Sequence, residues 1–170
     1  MDKIEVYHAG TDLIEVPDCR RGRANLDFGR GFYVTDIYDQ AFNLALSRAK
    51  ERKLPALINT YLLDQKALLE EARSLIFNLY DEEWLEFIVA CRAGKDIWQQ
   101  YDYVEGGVAD DRVIDTVNMY MQGYMSQERA LQRLRYLRPN NQICIINQEL
   151  LERHLTFTNC ITLPQDGQLR

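Results

Sequence analysis

Residues 27–35 read Asp27-Phe28-Gly29-Arg30-Gly31-Phe32-Tyr33-Val34-Thr35, a glycine-rich turn followed directly by apolar and aromatic residues. The two glycines on either side of Arg30 let the backbone turn sharply and let a ligand approach it closely. The residues that follow predict a short strand from Phe32 to Thr35. A Gly-x-Gly turn that leads into a strand differs from the dinucleotide-binding fingerprint, which leads out of a strand into a helix. By itself such a turn is also typical of an ordinary loop.

The sequence on either side of this turn predicts strands and helices without a regular β-α-β-α alternation. Strands are predicted over residues 3–8, 32–35, 57–63, 74–80, 101–108, 142–147 and 155–163. Helices are predicted over residues 36–52, 81–94, 110–123 and from 126 onward, with a helical turn over 149–153. The expected N-caps are Thr35 or Asp36, Asp81, Asp110 or Asp111, and Ser126. This order predicts an α+β protein with a sheet of mixed strand direction, and not a Rossmann or barrel fold.

Length and composition restrict the class of protein. The 170 residues suffice for one domain, predicted over residues 1–163 with a tail over 164–170. The net charge of −6 excludes a general affinity for nucleic acid or anionic membranes, although a local basic patch stays open. No apolar run reaches the roughly 18–20 residues that cross a bilayer, and the N-terminus is not signal-like, which predicts a cytoplasmic protein. Four cysteines without a C-x-x-C pair predict reduced thiols and no metal site.

A histidine at the end of the first predicted strand is the second unusual feature. Tyr7-His8-Ala9-Gly10-Thr11 runs from that strand into a tight glycine turn. A ring satisfied by local hydrogen bonds is the simpler interpretation of His8 taken alone. The common catalytic patterns G-x-S-x-G, G-x-x-x-x-G-K-[ST] and H-E-x-x-H are absent from the sequence.

Three short motifs together resemble the ADP-ribosyltransferase superfamily, in its diphtheria-toxin and poly(ADP-ribose) polymerase branch with the H-Y-[E/D/Q] triad. They are His8-Ala9-Gly10-Thr11, Gly29-Arg30-Gly31-Phe32-Tyr33 and Asn141-Gln142-Ile143-Cys144-Ile145, in the order of that branch. Over nearly its whole length the chain also looks like an uncharacterised bacterial domain-of-unknown-function family of that clan. The likeness includes the turn at residues 27–35 and Ala109-Asp110-Asp111-Arg112. The resemblance implies a split, mixed or antiparallel β-sheet core with flanking helices.

The resemblance also implies NAD as the substrate, without a metal. His8 would donate a hydrogen bond to the adenosine ribose, Tyr33 would stack on the nicotinamide, and the backbone around Ala9 would pair with the carboxamide. Gln142 would hydrogen-bond the nicotinamide ribose beside the carbon whose glycosidic bond breaks, where an oxocarbenium-like centre forms. His8, Tyr33 and Gln142 are therefore the expected catalytic residues. The expected NAD-binding residues are His8, Ala9, Gly10, Thr11, Arg23, Gly29, Arg30, Gly31 and Tyr33.

This chain departs from the active pattern of the superfamily in three places. Gln142 stands where a carboxylate would stabilise developing positive charge by roughly 3–4 kcal/mol, a loss of about two to three powers of ten in rate. Ala9 replaces the usual glycine. Ala41 and Leu44 stand where polymerases usually offer a serine and a second stacking tyrosine. These differences favour a single transfer, or binding alone, over chain elongation.

Further charged residues have two interpretations each. The segment from residue 9 to residue 31 is locally basic through Arg20, Arg21, Arg23 and Arg30. Such arginines suit the pyrophosphate of NAD or a phosphorylated target, and they equally suit a solvated loop. The Ala109–Arg112 motif contains Asp110, Asp111 and Arg112. Its carboxylates either supply the missing charge or cap a helix.

Two classes of function follow from these residues. The first is an NAD-dependent mono-ADP-ribosyltransferase acting on a protein or nucleic-acid acceptor. Such a protein is expected to be the toxin of a bacterial toxin–antitoxin pair, with a neutralising partner protein and no membrane association. The second is a catalytically silent module that binds NAD, ADP-ribose or another protein. Gln142 is the residue that separates the two.

Overall fold

The computed structural model of the chain describes residues 2–164. Within this range the strands are β1 (Ile4–Gly10), β2 (Phe32–Val34), β3 (Leu57–Leu63), β4 (Ser74–Ile76), β5 (Tyr103–Gly106), β6 (Gln142–Ile145) and β7 (Leu155–Thr162). The helices are α1 (Tyr38–Arg52), α2 (Gln65–Glu71), α3 (Glu82–Arg92), α4 (Ile114–Met121), α5 (Gln127–Leu134) and α6 (Gln148–His154). Short 3₁₀ turns lie at Cys19–Arg21 and Asp96–Gln100. The α+β class predicted from the sequence is confirmed.

The strands are divided between two sheets. One is antiparallel, in the order β1-β3-β7. The other has the order β2-β6-β5-β4 and is antiparallel except for the parallel pair β4 and β5. The mixed strand direction predicted from the sequence therefore occurs within the second sheet.

The two sheets meet where β1 passes β2. The Tyr7 N–H donates to the Thr35 carbonyl over 2.8 Å, and the Thr35 N–H donates to the Tyr7 carbonyl over 2.9 Å. On the other edge of β2, Val34 pairs with Ile143, so the start of β6 lies beside the end of β2. The middle of β1, the end of β2 and the start of β6 are thereby brought together.

The core follows the alternation of side chains along the strands. On β6, Cys144 packs in the same cluster as Trp84 of α3. Its neighbour Ile143 points the other way, into a cluster with residues of both sheets. A third cluster joins α1 to the first sheet through Ala41 and Ile58. Helix α1 is thus held against β1 and β3, next to the junction of the sheets.

Two helices begin at the predicted caps, and two, α1 and α4, do not. The Asp81 carboxylate accepts the Trp84 N–H at the start of α3, and the Ser126 hydroxyl accepts the Arg129 N–H at the start of α5. The expected cap at Asp110 or Asp111 is wrong, because α4 begins at Ile114 with Val113 in the N-cap position.

Differences from the predicted elements also occur around α1, α2 and β4. Helix α1 has Ile37 in its N-cap position, while the Thr35 hydroxyl accepts the Ile37 N–H and donates to the Asn141 carbonyl. Thr35 therefore ties the start of α1 to the start of β6. The strand predicted over residues 74–80 ends at Ile76, and the short helix α2, begun by a cap from Asp64, was missed.

Among residues 2–164, no helix is both long and apolar enough to span a bilayer. All four cysteines are free thiols. The predicted tail over 164–170 lies outside the described residues except for Pro164, and the single-domain boundary stays a prediction.

Candidate functional site

His8, Tyr33 and Gln142 line one small cavity, although they belong to three different strands. Its other walls include Ala9 of β1 and Leu44 of α1. The volume is about 20 Å³, which is room for a single water molecule. The three expected catalytic side chains therefore share one space, and a nicotinamide ring enters it only after the walls move apart.

The His8 ring is fixed by two neighbours. Its Nδ1 lies 2.6 Å from the Tyr33 carbonyl oxygen, and its ring stacks on Phe32 with centroids 4.6 Å apart. Because a carbonyl oxygen only accepts, Nδ1 carries the proton. Burial, together with the charge of Arg48, lowers the pKa of His8 to about 4. The ring is therefore neutral at pH 7, and Nε2 offers a lone pair.

Tyr33 is held through its hydroxyl group. The hydroxyl donates to the Gly29 carbonyl over 2.6 Å and accepts the Phe28 N–H at 3.1 Å. Burial raises the pKa of Tyr33 well above its usual range, so the phenol stays protonated. The hydroxyl of Tyr33 thus holds the glycine turn, while the ring lines the small cavity.

Gln142 opens β6 and pairs with Gly106 of β5. The side chain is half-buried, and no residue among 2–164 hydrogen-bonds its carboxamide. A carboxamide that lines a cavity without a protein partner is available to a ligand as both donor and acceptor.

Two carboxylates that were not expected in the site lie beside Asn141, the residue that precedes Gln142. The Asn141 amide donates to Asp36 over 2.9 Å and to Glu105 over 3.1 Å. Glu105 also accepts the Tyr103 hydroxyl over 2.6 Å. These contacts hold Asn141 against β5 and against the segment before α1, and neither carboxylate lines the small cavity.

Close contacts explain both glycines of the turn. Gly29 has a φ of 82°, and a Cβ there would lie 2.0 Å from the Trp98 ring. A Cβ on Gly31 would lie 2.4 Å from the Cys144 sulfur. The turn therefore packs directly on the core, which leaves no room for a side chain at either position.

Asp27 anchors the beginning of the same turn with both of its oxygens. One accepts the Arg92 Nε over 2.7 Å, and the other accepts the Ala109 N–H over 2.9 Å. The turn is thereby bound to α3 and to the segment before α4. Asp27 and Ala109 belong to two motifs of the sequence, and this bond gives both a structural role.

The Ala109–Arg112 motif does not reach the small cavity. Asp110 binds the Arg112 guanidinium over 2.9 Å and the Asn140 amide over 3.0 Å. Asp111 is exposed. Neither aspartate lines the cavity of His8, Tyr33 and Gln142, so neither stands in there for the missing carboxylate.

A wider cleft of about 520 Å³ adjoins the small cavity, a volume that suits a small-molecule ligand. His8 and Arg48 line both spaces. Three of the expected NAD-binding residues also line the cleft: Gly10, Thr11 and Gly31.

The predicted basic segment contributes only partly to this cleft. Arg21 lines it. Arg20 is paired with Asp18 at 3.0 Å, and Arg30 donates from Nε to the Gly22 carbonyl over 3.1 Å. Arg23 is exposed. The expected NAD-binding residues Arg23, Gly29 and Arg30 therefore line neither space.

Two arginines of α1 that sequence analysis missed take part in the cleft. Arg48 donates from Nη1 to the Ala9 carbonyl over 2.7 Å, and Arg52 donates from Nη1 to the Thr11 hydroxyl over 3.3 Å. Their separation by four residues places them on one helix face. This spacing could have identified the two arginines as a pair from the sequence.

The fold and the site define an α+β protein with a histidine, a tyrosine and a glutamine around one cavity where two sheets meet. The family model described as "Protein of unknown function (DUF3990)" matches residues 4–157, and the chain belongs to this family. No curated protein and no solved structure matches the chain. Membership of a domain-of-unknown-function family is confirmed, and the wider relationship to ADP-ribosyltransferases stays a prediction. Within residues 2–164 no group of three or more histidine, cysteine, aspartate or glutamate side chains is placed to hold a metal ion.

Proposed function

We propose that this chain is an NAD-dependent mono-ADP-ribosyltransferase that transfers ADP-ribose to a protein or nucleic-acid acceptor. The observation that carries the proposal is the cavity lined by His8, Tyr33 and Gln142, which lie far apart in the sequence. Residues that act on one nicotinamide riboside must face a common space. The adjoining cleft supplies volume for the remainder of the dinucleotide.

His8 and Tyr33 seat the substrate. Because Nδ1 of His8 is used by the Tyr33 carbonyl, Nε2 accepts a hydrogen bond from a ribose hydroxyl. This direction is the reverse of the one that the resemblance implies. The Tyr33 ring offers a flat surface for nicotinamide while its hydroxyl remains on the glycine turn. The Ala9 carbonyl, already bound by Arg48, has a second lone pair for the carboxamide.

Gln142 acts beside the carbon at which the bond breaks. Its carboxamide oxygen accepts the 2′-hydroxyl of the nicotinamide ribose. Nicotinamide leaves with the electron pair of the carbon–nitrogen bond, while a nucleophilic atom of the acceptor bonds to C1′ and loses its proton. The transition state is oxocarbenium-like, and a neutral amide stabilises it by its dipole instead of by a full charge. Slow turnover is the expected consequence.

A catalytically silent module that binds ADP-ribose is the second candidate, favoured by two observations. Gln142 lacks a charge, and the neighbouring Glu105 is bound by Asn141 and Tyr103. The cavity of about 20 Å³ must also widen before it admits nicotinamide. ADP-ribose lacks that ring, so the wider cleft is sufficient for it.

Two measurements test the proposal and separate the candidates. Calorimetry is expected to give a Kd for NAD of millimolar or tighter, which corresponds to about 4 kcal/mol or more of binding free energy. Gln142→Ala is expected to weaken this binding, whereas Gln122→Ala, on the exposed end of α4, leaves it unchanged.

The second measurement uses NAD labelled separately in its nicotinamide and in its adenylate, incubated with the protein and cell extract. Nicotinamide release with adenylate label on an acceptor supports the transferase. Binding without release identifies the silent module. Absence of NAD and ADP-ribose binding overturns both.

A toxin–antitoxin role, with a neutralising partner protein, is the biological part of the proposal. Expression of the wild-type chain is expected to arrest growth of a bacterial host, and Gln142→Ala is expected to relieve the arrest. Equal growth with both proteins contradicts this role.

A further inference from the structure

Two arginines of α1 face the wide cleft without an acidic partner. Arg48 and Arg52 both line it, and within residues 2–164 neither guanidinium has a carboxylate within 4.0 Å. Arg92, which is similarly half-buried, is paired with Asp27 at 2.7 Å. Arg92 is therefore neutralised by a direct salt bridge, whereas the half-buried Arg48 has no carboxylate within salt-bridge distance in the described residues.

The two guanidinium groups also repel each other. They are four residues apart on one helix face, an arrangement that is unfavourable for like charges. Burial, followed by the charges of Arg52 and Arg23, lowers the pKa of Arg48, and the charge of Glu51 offsets only part of this effect. Cations are stabilised in the last turn of a helix by the helix dipole, which explains the position of Arg52. The half-buried Arg48 lies one turn earlier and is not explained in this way. An anion in the cleft would relieve this repulsion.

We propose that Arg48 and Arg52 bind the diphosphate group of a nucleoside-diphosphate ligand in this cleft. The identification of that ligand as the ADP-ribose part of NAD rests on the proposed function. Each guanidinium uses a single Nη1 for the protein, through Ala9 and Thr11, and has further N–H groups for phosphate oxygens. Because Arg48 lines both the cleft and the small cavity, a diphosphate bound there is adjacent to the space of Tyr33 and Gln142.

The acidic residues of the cleft restrict the size of the anion. Asp18, held by Arg20, lines the cleft together with the exposed Asp12 and Glu15. These carboxylates repel an extended phosphate backbone, whereas the half-buried Arg48 favours one compact anion. The cleft therefore favours a small phosphorylated ligand over a nucleic-acid strand.

The test measures binding of ADP-ribose, inorganic pyrophosphate, NAD and nicotinamide riboside by calorimetry. Arg52→Ala and Arg48→Lys are compared with Arg133→Ala, which removes an exposed arginine of α5 that does not line the cleft. Loss of a charged hydrogen bond is expected to weaken ADP-ribose and pyrophosphate by about tenfold or more. The control and the affinity for nicotinamide riboside, which has no phosphate, are expected to stay unchanged. Arg52 is exposed, so its variant keeps the test valid if Arg48→Lys folds poorly.

The results separate this inference from the proposed function. If NAD binds but neither variant weakens ADP-ribose or pyrophosphate, the diphosphate site is wrong and the transferase proposal stands. If NAD fails to bind but ADP-ribose and pyrophosphate bind in an arginine-dependent manner, the diphosphate site stands and the transferase proposal fails. Equal weakening by Arg133→Ala identifies a nonspecific charge effect and overturns the site.

Discussion

The Nδ1 atom of His8 donates a hydrogen bond of 2.6 Å to the carbonyl oxygen of Tyr33. The bond joins β1 of one sheet to β2 of the other, beside the backbone bridge between Tyr7 and Thr35. It fixes the tautomer of the imidazole and, at the same time, the position of the strand that follows the glycine turn. Two residues that are proposed to bind one ligand therefore also connect the sheets, and replacement of the His8 side chain is expected to affect both stability and binding.

Stability is expected to depend on pH through His8. Its folded pKa of about 4 lies below the unfolded value near 6.5. Between these values the unfolded chain binds more protons, so the free energy of unfolding falls as the pH falls. From pH 7 to pH 4.5 the wild type is expected to lose about 2–3 kcal/mol more than His8→Asn. Urea unfolding of both proteins across this pH range measures the difference, and the contributions of the other titratable groups largely cancel in the comparison. If the free energy of unfolding falls equally with pH in the two proteins, the lowered pKa of His8 is wrong.

Tyr33→Phe separates the structural role of the hydroxyl from the role of the ring. The substitution leaves the Gly29 carbonyl and the Phe28 N–H without their partner. We expect a loss of about 1–3 kcal/mol in the free energy of unfolding, with NAD binding retained because the ring remains. Tyr124→Phe, at a side chain with 78% exposure, serves as the control. Unfolding indistinguishable from wild type would show that the hydroxyl does not stabilise the turn.

Gln142→Glu supplies the charge that the cavity lacks. A carboxylate there stabilises an oxocarbenium-like transition state, so nicotinamide release is expected to rise by about two to three powers of ten. Gln122→Glu adds the same charge on the exposed end of α4 and is expected to leave the rate unchanged. Initial rates at saturating NAD provide the measurement. An equal or lower rate for Gln142→Glu would mean that the missing charge does not limit turnover.

Gly29→Ala tests whether packing, in addition to backbone conformation, requires the glycine. Gly29 and Gly94 have φ values of 82° and 83°, but only at Gly29 would a Cβ meet a neighbour, the Trp98 ring. Gly94→Ala is expected to cost about 1–2 kcal/mol from the left-handed backbone alone. Gly29→Ala is expected to cost about 3 kcal/mol or more, because the indole must also move. Chemical denaturation compares the two, and similar losses would refute the role of Trp98.

Local signals in the sequence are sufficient where a cap and a periodic apolar face coincide. Helix α3 begins directly after the predicted cap Asp81 for this reason. The prediction fails at Asp110: one carboxylate oxygen accepts the Arg112 N–H in the turn before the helix, the other is bound by Asn140, and α4 begins only at Ile114. Asn140 lies 30 residues further along the chain. A prediction from neighbouring residues therefore does not include its contact with the Asp110 carboxylate.

The sequence alone determined the α+β class, the glycine turn, and the presence of His8, Tyr33 and Gln142 in a recognisable order. Those features depend on backbone preference and side-chain periodicity, which are local properties. Only the tertiary structure decided that the three side chains share a cavity and that Arg48 lines its boundary with a wider cleft. The reason is that the bridge between β1 and β2 and the pairing of β2 with β6 join residues far apart in the chain, and no local pattern specifies those contacts.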